Sequence, residues 1–154
     1  MSEPRLKYGQ LAPEGLAKMR ELEHYLNTGT HLERTLLELV RMRASLINGC
    51  EYCITFHTAE LQKNNETAER ISQLADWRNS EIYTNRERAA LAWTDAVTNI
   101  QDGHAPDAAY DEVRAHFSDV ETVNLTLAIT MINSWNRISI ALGSHTGHGT
   151  GVKV

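Results

Sequence analysis

The chain has 154 residues, enough for one domain whose core needs no disulfide or metal staple. Its 15 Lys and Arg against 20 Asp and Glu give a net charge of −5, which leaves no cationic face for a polyanion. Nucleic acid and an anionic membrane surface are thereby excluded as expected partners. Only 2 residues are Cys, which excludes a disulfide-scaffolded miniprotein and makes their positions informative.

Helical periodicity runs through the sequence. Pro13 followed by Leu16, Met19, Leu22 and Leu26 predicts a first amphipathic helix with Pro in its first turn, ended by Asn27 to Thr30. Thr30 and Glu33 have capping-box spacing and predict the start of a second helix carrying Leu32, Leu36, Leu39, Val40 and Ile47. Asn48-Gly49 closes it, because Gly readily takes the left-handed stop conformation. A third helix starts at or just before Cys50 and runs to Asn64, and a shorter one spans 67–77.

Thr84 with Glu87 forms a second capping box, leading into Ala89, Trp93, Ala96, Val97 and Ile100. Pro106 opens a short helix to His116. Ser118 with Glu121 caps a last helix over 119–142, whose apolar residues lie on nearly every side, as in a helix buried in a core or a subunit interface. No strand alternation, phosphate loop or internal repeat is visible. The expectation is an all-α single domain over 1–154 of about six to seven helices, with the tail 143–154 frayed.

The polar start Met1–Gln10 lacks the apolar run of a signal peptide. The uncharged stretch from Thr122 to Asn136 is broken by Asn124, Asn133 and Ser134 and falls short of the roughly 20 apolar residues of a membrane span. A cytoplasmic, reducing compartment is the expected setting. There a close cysteine pair is more often catalytic or metal-binding than structural.

The informative segment runs from Glu38 to His57. Cys50-Glu51-Tyr52-Cys53 is a Cys-x-x-Cys at a predicted helix start, and His57 follows one turn after Cys53. At 100° per residue, Cys50, Cys53 and His57 fall within about 60° of one another on one face. Free N–H groups and the partial positive charge of a helix N-terminus stabilise a thiolate. Two cysteines so spaced can close a disulfide, one attacking and the other resolving. His57, nearer Cys53, favours Cys53 as the attacking thiol. The helix dipole favours Cys50, so both assignments stay open with Cys53 preferred. Glu38, on the preceding helix, either orients the imidazole of His57 or pairs with Arg34 or Arg41 on its own helix surface. Spacing alone favours the second.

Rival readings use the same residues. Cys50, Cys53, His57 and Glu38 are acceptable zinc ligands. However, no second Cys/His pair is adjacent, and three ligands from one helix face fit a tetrahedron poorly. Two inert buried thiols are a further alternative. Trp77, Trp93 and Trp135 read as core, while His24, His31, His104 and His116 read as surface. His145 and His148 lie in the tail. Asn133, Asn136 and Arg137 on the last helix need polar partners.

The pattern Glu38-x11-Cys50-x2-Cys53-x3-His57 resembles the active-site signature of the alkylhydroperoxidase D (AhpD)-like branch of the carboxymuconolactone decarboxylase family. The likeness is concentrated between Leu36 and His57. It is weaker elsewhere, including the start of the first helix and Ser134-Trp135-Asn136-Arg137. The resemblance implies an all-helical subunit of a homo-oligomer, a trimer or hexamer, and cofactor-free reduction of small hydroperoxides through a sulfenate and an intramolecular disulfide. By position it implies Cys53 as the sulfenate-forming cysteine, Cys50 as resolving cysteine and proton donor, and Glu38 and His57 as proton relay. It further implies a dithiol reductant such as a lipoyl-bearing protein. One departure is Tyr52, where the best-known peroxidase members have His, so a local base is missing. Two other functional classes stay open: a zinc-binding or stress-sensing oligomer, and a decarboxylase or hydrolase of aromatic catabolism, whose family members lack the cysteine pair.

Overall fold

Helices form wherever the apolar residues recur at helical spacing, and their ends follow the side-chain caps. The computed structural model describes residues 3–143. In order these form α1 (Tyr8–Leu11), α2 (Pro13–Thr28), α3 (Arg34–Asn48), α4 (Glu51–Lys63), α5 (Ala68–Gln73), a 3-10 segment (Leu74–Asn79), α6 (Asn85–Thr98), α7 (Asp107–His116) and α8 (Asp119–Leu142). No strand occurs among the described residues. The expected fraying of 143–154, with His145 and His148, falls on residues that lie beyond those described, Gly143 excepted. The all-α, single-domain reading holds, and no helix among the described residues is long and apolar enough to cross a membrane.

Two of the three expected capping boxes form. The Glu87 N–H donates to Thr84 Oγ1 at 3.2 Å and the Thr84 N–H to the Glu87 carboxylate at 2.8 Å. Ser118 and Glu121 repeat the exchange at 3.2 and 2.9 Å. The box expected at Thr30 and Glu33 does not form. The Thr30 hydroxyl donates back to the Leu26 carbonyl at 2.9 Å, and the Glu33 carboxylate accepts from Arg86 Nε at 2.9 Å. With both side chains engaged elsewhere, α3 begins one residue after Glu33.

The expected helix over 67–77 is split. Thr67 caps α5, but Asp76 leaves helical geometry inside the following 3-10 segment. Arg43 Nη1 donates to the carbonyl of Ala75 at 2.7 Å, drawing it away from a regular helical ladder. The short α1 has too few residues to show periodicity and escaped the sequence reading.

α3 is the hub, packing against α4, α6 and α8. Leu36, Leu37 and Val40 join Ala89, Leu125 and Ile129 in one apolar cluster, and Leu39 and Met42 join Leu61, Leu74 and Trp77 in a second. Trp77 and Trp93 are buried as expected, and Trp135 is half-buried against the first cluster. His24, His31, His104 and His116 are exposed. On α8, Leu125, Ala128, Ile129 and Ile132 face the core, whereas Val120 and Val123 are exposed on the single chain.

The polar residues of α3 form a stripe through this apolar setting: Arg34, Glu38, Arg41, Ser45 and Asn48, at steps of 4, 3, 4 and 3. Its C-terminal end binds α8. Asn48 Nδ2 donates to Asn133 Oδ1 and Asn136 Oδ1, both at 2.9 Å, and Asn136 Nδ2 donates to Ser45 Oγ at 3.0 Å. Asn133 Nδ2 reaches Thr98 Oγ1 at 3.0 Å, and Arg137 donates to Asn133 Oδ1 at 2.8 Å. The partners required by Asn133, Asn136 and Arg137 thus lie within the chain. Asn136 is fully buried. Replacing it by Ala removes a donor and an acceptor from this network, and Asn136→Ala is expected to cost about 1–3 kcal/mol, measured as a lower urea midpoint with unchanged slope.

Candidate active site

Gly49 sets the geometry. Its φ of 68° and ψ of 35° are left-handed, a conformation Gly adopts without the Cβ penalty of other residues. The Cys50 N–H then bonds back to the Ser45 carbonyl at 3.1 Å, reversing the chain at once. Cys50 becomes the N-cap of α4, and its sulfur accepts the Cys53 N–H at 3.4 Å. Cys50 and Cys53 are joined as a disulfide and are 1% and 4% exposed. The cysteines therefore sit where free helix N–H groups stabilise negative charge on sulfur.

One turn on, His57 Nδ1 meets Glu38 Oε2 at 2.7 Å. The other carboxylate oxygen of Glu38 accepts from Arg41 Nη1 at 2.7 Å and pairs with Arg34 Nη2 at 3.2 Å. Arg41 Nη2 continues to Glu23 of α2 at 2.8 Å, and Arg34 reaches Glu60 of α4 at 3.4 Å. Glu38 and Arg41 are almost completely buried. Burial alone pushes the Glu38 carboxyl up, but the His57 hydrogen bond and the charges of Arg41, His57 and Arg34 outweigh it and hold the carboxyl below its ordinary value. An ionised Glu38 accepts from His57 Nδ1, so whenever the ring is neutral its proton sits on Nδ1 and Nε2 is the acceptor.

Two pockets flank the cysteine pair. The first, of about 390 Å³, is lined by Cys53, His57, Glu38 and Arg41, with Phe56 and Trp135 among its apolar lining. The second, of about 460 Å³, is lined by Cys50 together with Pro4, Leu6, Lys7 and Gly143. Tyr8, Tyr52 and Ser139 line both and so stand between them. The N-terminal segment is held over the second pocket by backbone bonds from Arg5 and Leu6 to the carbonyls of Gly143 and Leu142, each 3.1 Å. Tyr52, at the position of the family histidine, is exposed and stacks on Phe56, whose ring meets that of His57 edge-on at 5.1 Å.

All four residues singled out in the sequence, Glu38, Cys50, Cys53 and His57, come together. The expectation that spacing favours a surface role for Glu38 is corrected: it does pair with Arg34 and Arg41, but inside the protein and while also holding His57. Arg41 was read only as a surface partner of Glu38, and Glu23 and Tyr8 were missed. The 4-3-4-3 polar stripe of α3 carries the signal for Arg41, whereas nothing local marks Glu23 or Tyr8. Among the described residues no group of three or more His, Cys, Asp and Glu is placed to hold a metal ion, so the zinc reading gains no cluster to rest on.

Comparison with known proteins identifies the family. Residues 13–96 match the model of the carboxymuconolactone decarboxylase family. The uncharacterized protein YdfG of Bacillus subtilis is 41% identical over 140 residues, covering 91% of this chain and 95% of that one. A crystal structure of an Agrobacterium tumefaciens protein of unknown function, named as a proposed antioxidant defence protein AhpD, superposes with a TM-score of 0.87 at 41% identity. It covers 91% of this chain and 95% of that one. An uncharacterized peroxidase-related protein from Silicibacter shares the fold alone, with a TM-score of 0.76 at 22% identity over 88% of this chain and 73% of that one.

Because the Glu38 carboxyl is held low, its stabilising effect is fully present above the ordinary carboxylate range, about pH 4.3, and is lost as pH falls below it. Glu38→Gln is expected to cost about 3–5 kcal/mol at neutral pH by leaving Arg41 short of a partner. It should also flatten the acid limb of stability, read from urea midpoints across pH 3 to 7. An acid limb as steep as in the parent would contradict an ionised, buried Glu38.

Proposed function

The chain belongs to the carboxymuconolactone decarboxylase family, as an AhpD-like member, and from that premise we propose that it is a two-cysteine thiol peroxidase acting on small organic hydroperoxides. The observation that carries this reading is the placement of Cys53, at the start of a helix, in one pocket with a His57 whose Nδ1 is held by a buried carboxylate.

In the reduced protein His57 Nε2 takes the proton of Cys53, and the helix N-terminus stabilises the thiolate. The thiolate attacks the O–O bond of the hydroperoxide, leaving Cys53 as sulfenic acid and releasing the alcohol after proton return from His57. The Cys50 thiol then condenses with the sulfenic acid, forming the disulfide and water. A dithiol closes the cycle by exchange, leaving as its own disulfide. In sum, hydroperoxide and dithiol become alcohol, water and the oxidised dithiol.

The two pockets support this division of labour. Cys53 lines the pocket that also holds the imidazole, whereas Cys50 lines a separate one beneath the N-terminal segment. A dithiol, such as that of a lipoyl-bearing protein, attacks Cys50 from its own side and expels Cys53 as the thiolate, the form needed for the next turnover. The pocket volume of about 390 Å³ suits an organic hydroperoxide of modest size. With Tyr52 in place of the family histidine, His57 carries the proton transfer alone.

Stopped-flow mixing of reduced protein with cumene hydroperoxide tests the reading. Expected are thiol loss much faster than in free cysteine and a product lighter by two hydrogens. Cys53→Ser should abolish the reaction. Cys50→Ser should allow one turnover and leave a sulfenic acid that dimedone traps. His57→Asn should slow the first step by about 10²-fold or more. Thiol loss no faster than in free cysteine would sink the proposal.

A further inference from the structure

The Cys53 pocket holds more positive charge than its own carboxylates use. Arg20, Arg34 and Arg41 line it against Glu23 and Glu38. Both carboxylates are engaged, Glu38 by Arg34, Arg41 and His57, and Glu23 by Arg41. Glu60, the remaining carboxylate on Arg34, also takes Lys63. Among the described residues, Arg20 is exposed and enters no ion pair. The side wanting a partner is therefore cationic.

A second observation is independent of charge. The pocket also has an apolar surface, with Tyr52, Phe56, Ile132 and Trp135. A ligand that answers these features has an apolar body and an anionic head for Arg20.

We infer that the Cys53 pocket contains an anion-recognising subsite, with Arg20 as its specificity determinant, that selects hydroperoxides carrying a carboxylate. The inference rests on the thiol-peroxidase reading for the reaction but not for the binding. Arg20 supplies the attraction for the anionic head, while the apolar side chains hold the body of the substrate near Cys53. The chemistry at sulfur is unchanged: Cys53 takes the terminal oxygen, the alcohol leaves, and the carboxylate takes no part.

The probes are 4-(2-hydroperoxypropan-2-yl)benzoate and its methyl ester, with the corresponding alcohols for binding. Calorimetry of the alcohols on the disulfide form should show the acid binding about fivefold more tightly than the ester, the scale of one exposed ion pair. Raising the salt to 1 M should shrink that ratio. Arg20→Gln should bring it to roughly one, while Arg20→Lys should keep most of it. In turnover, Arg20→Gln should raise KM for the acid hydroperoxide rather than lower kcat. Equal binding of acid and ester by the parent protein, or a preference that survives Arg20→Gln, overturns the subsite. Arg20-dependent binding of the acid without turnover of either hydroperoxide would uphold the subsite and overturn the thiol-peroxidase reading instead.

Discussion

A carboxylate buried in a protein stays ionised only where its surroundings supply matching charge and hydrogen bonds, and Glu38 is built into such a setting. Its two oxygens face three elements of support: Arg34 and Arg41 from its own helix, and His57 from α4. Arg41 in turn ties α3 to α2 through Glu23, and Arg34 ties it to α4 through Glu60. Desolvating these groups costs several kcal/mol per ion and is offset only if all the partners are held in place. The charge network therefore fixes how α2, α3 and α4 sit against one another, which an apolar interface of the same size would specify less sharply. The same network orients the imidazole at the cysteine pair, so packing and chemistry share one set of contacts.

The opposite end of α3 solves a related problem without charge. Ser45 and Asn48 continue the polar stripe into a cluster of amides and hydroxyls from α6 and α8, in which Asn133 and Asn136 act as both donors and acceptors. Directly after this cluster the chain must reverse, and Gly49 supplies the left-handed residue that lets Cys50 cap α4. The position of Cys50 is thus determined twice, by the turn that precedes it and by the amide cluster that locks the last turn of α3 to α8. A displacement of either would move the sulfur from the N-cap and separate it from the Cys53 N–H.

The helices were legible because their signals are local. Periodicity and caps at Pro13, Thr84 and Ser118 and the stop at Gly49 depend on residues within one turn of each other. The failures were tertiary. Thr30 and Glu33 have the spacing of a capping box, but Arg86, distant in sequence, takes Glu33 and so the box is lost. The helix over 67–77 is broken by Arg43, which bonds carbonyls that a regular helix would satisfy internally. At the site, Cys50, Cys53 and His57 were readable from one helix face. Glu38 was read from a resemblance, and spacing pointed it toward solvent, because burial is set by α2 and α8 folding over the stripe. Glu23 and Tyr8 carry no local mark, since their importance comes only from where α1 and α2 close on the site.

The asymmetry between the two sulfurs follows from this architecture. Both are nearly inaccessible, yet they line different pockets, separated by Tyr8, Tyr52 and Ser139. Thiol–disulfide exchange needs the incoming sulfur in line with the bond it breaks, so attack on Cys50 comes from the side away from Cys53. The Cys50 pocket lies under the N-terminal segment, and the imidazole lines the other. On the proposed route the negative charge falls on Cys53, in the pocket that also holds His57, whereas Cys50 is the sulfur that accepts the Cys53 N–H. Attack from the other pocket would leave the charge on Cys50, whose pocket lining includes Pro4 and Leu6 and also Lys7. Under the proposed cycle, the leaving group is the thiolate that meets the next peroxide. In that proposed cycle the separate pockets, rather than a special property of either cysteine, give the pair its direction.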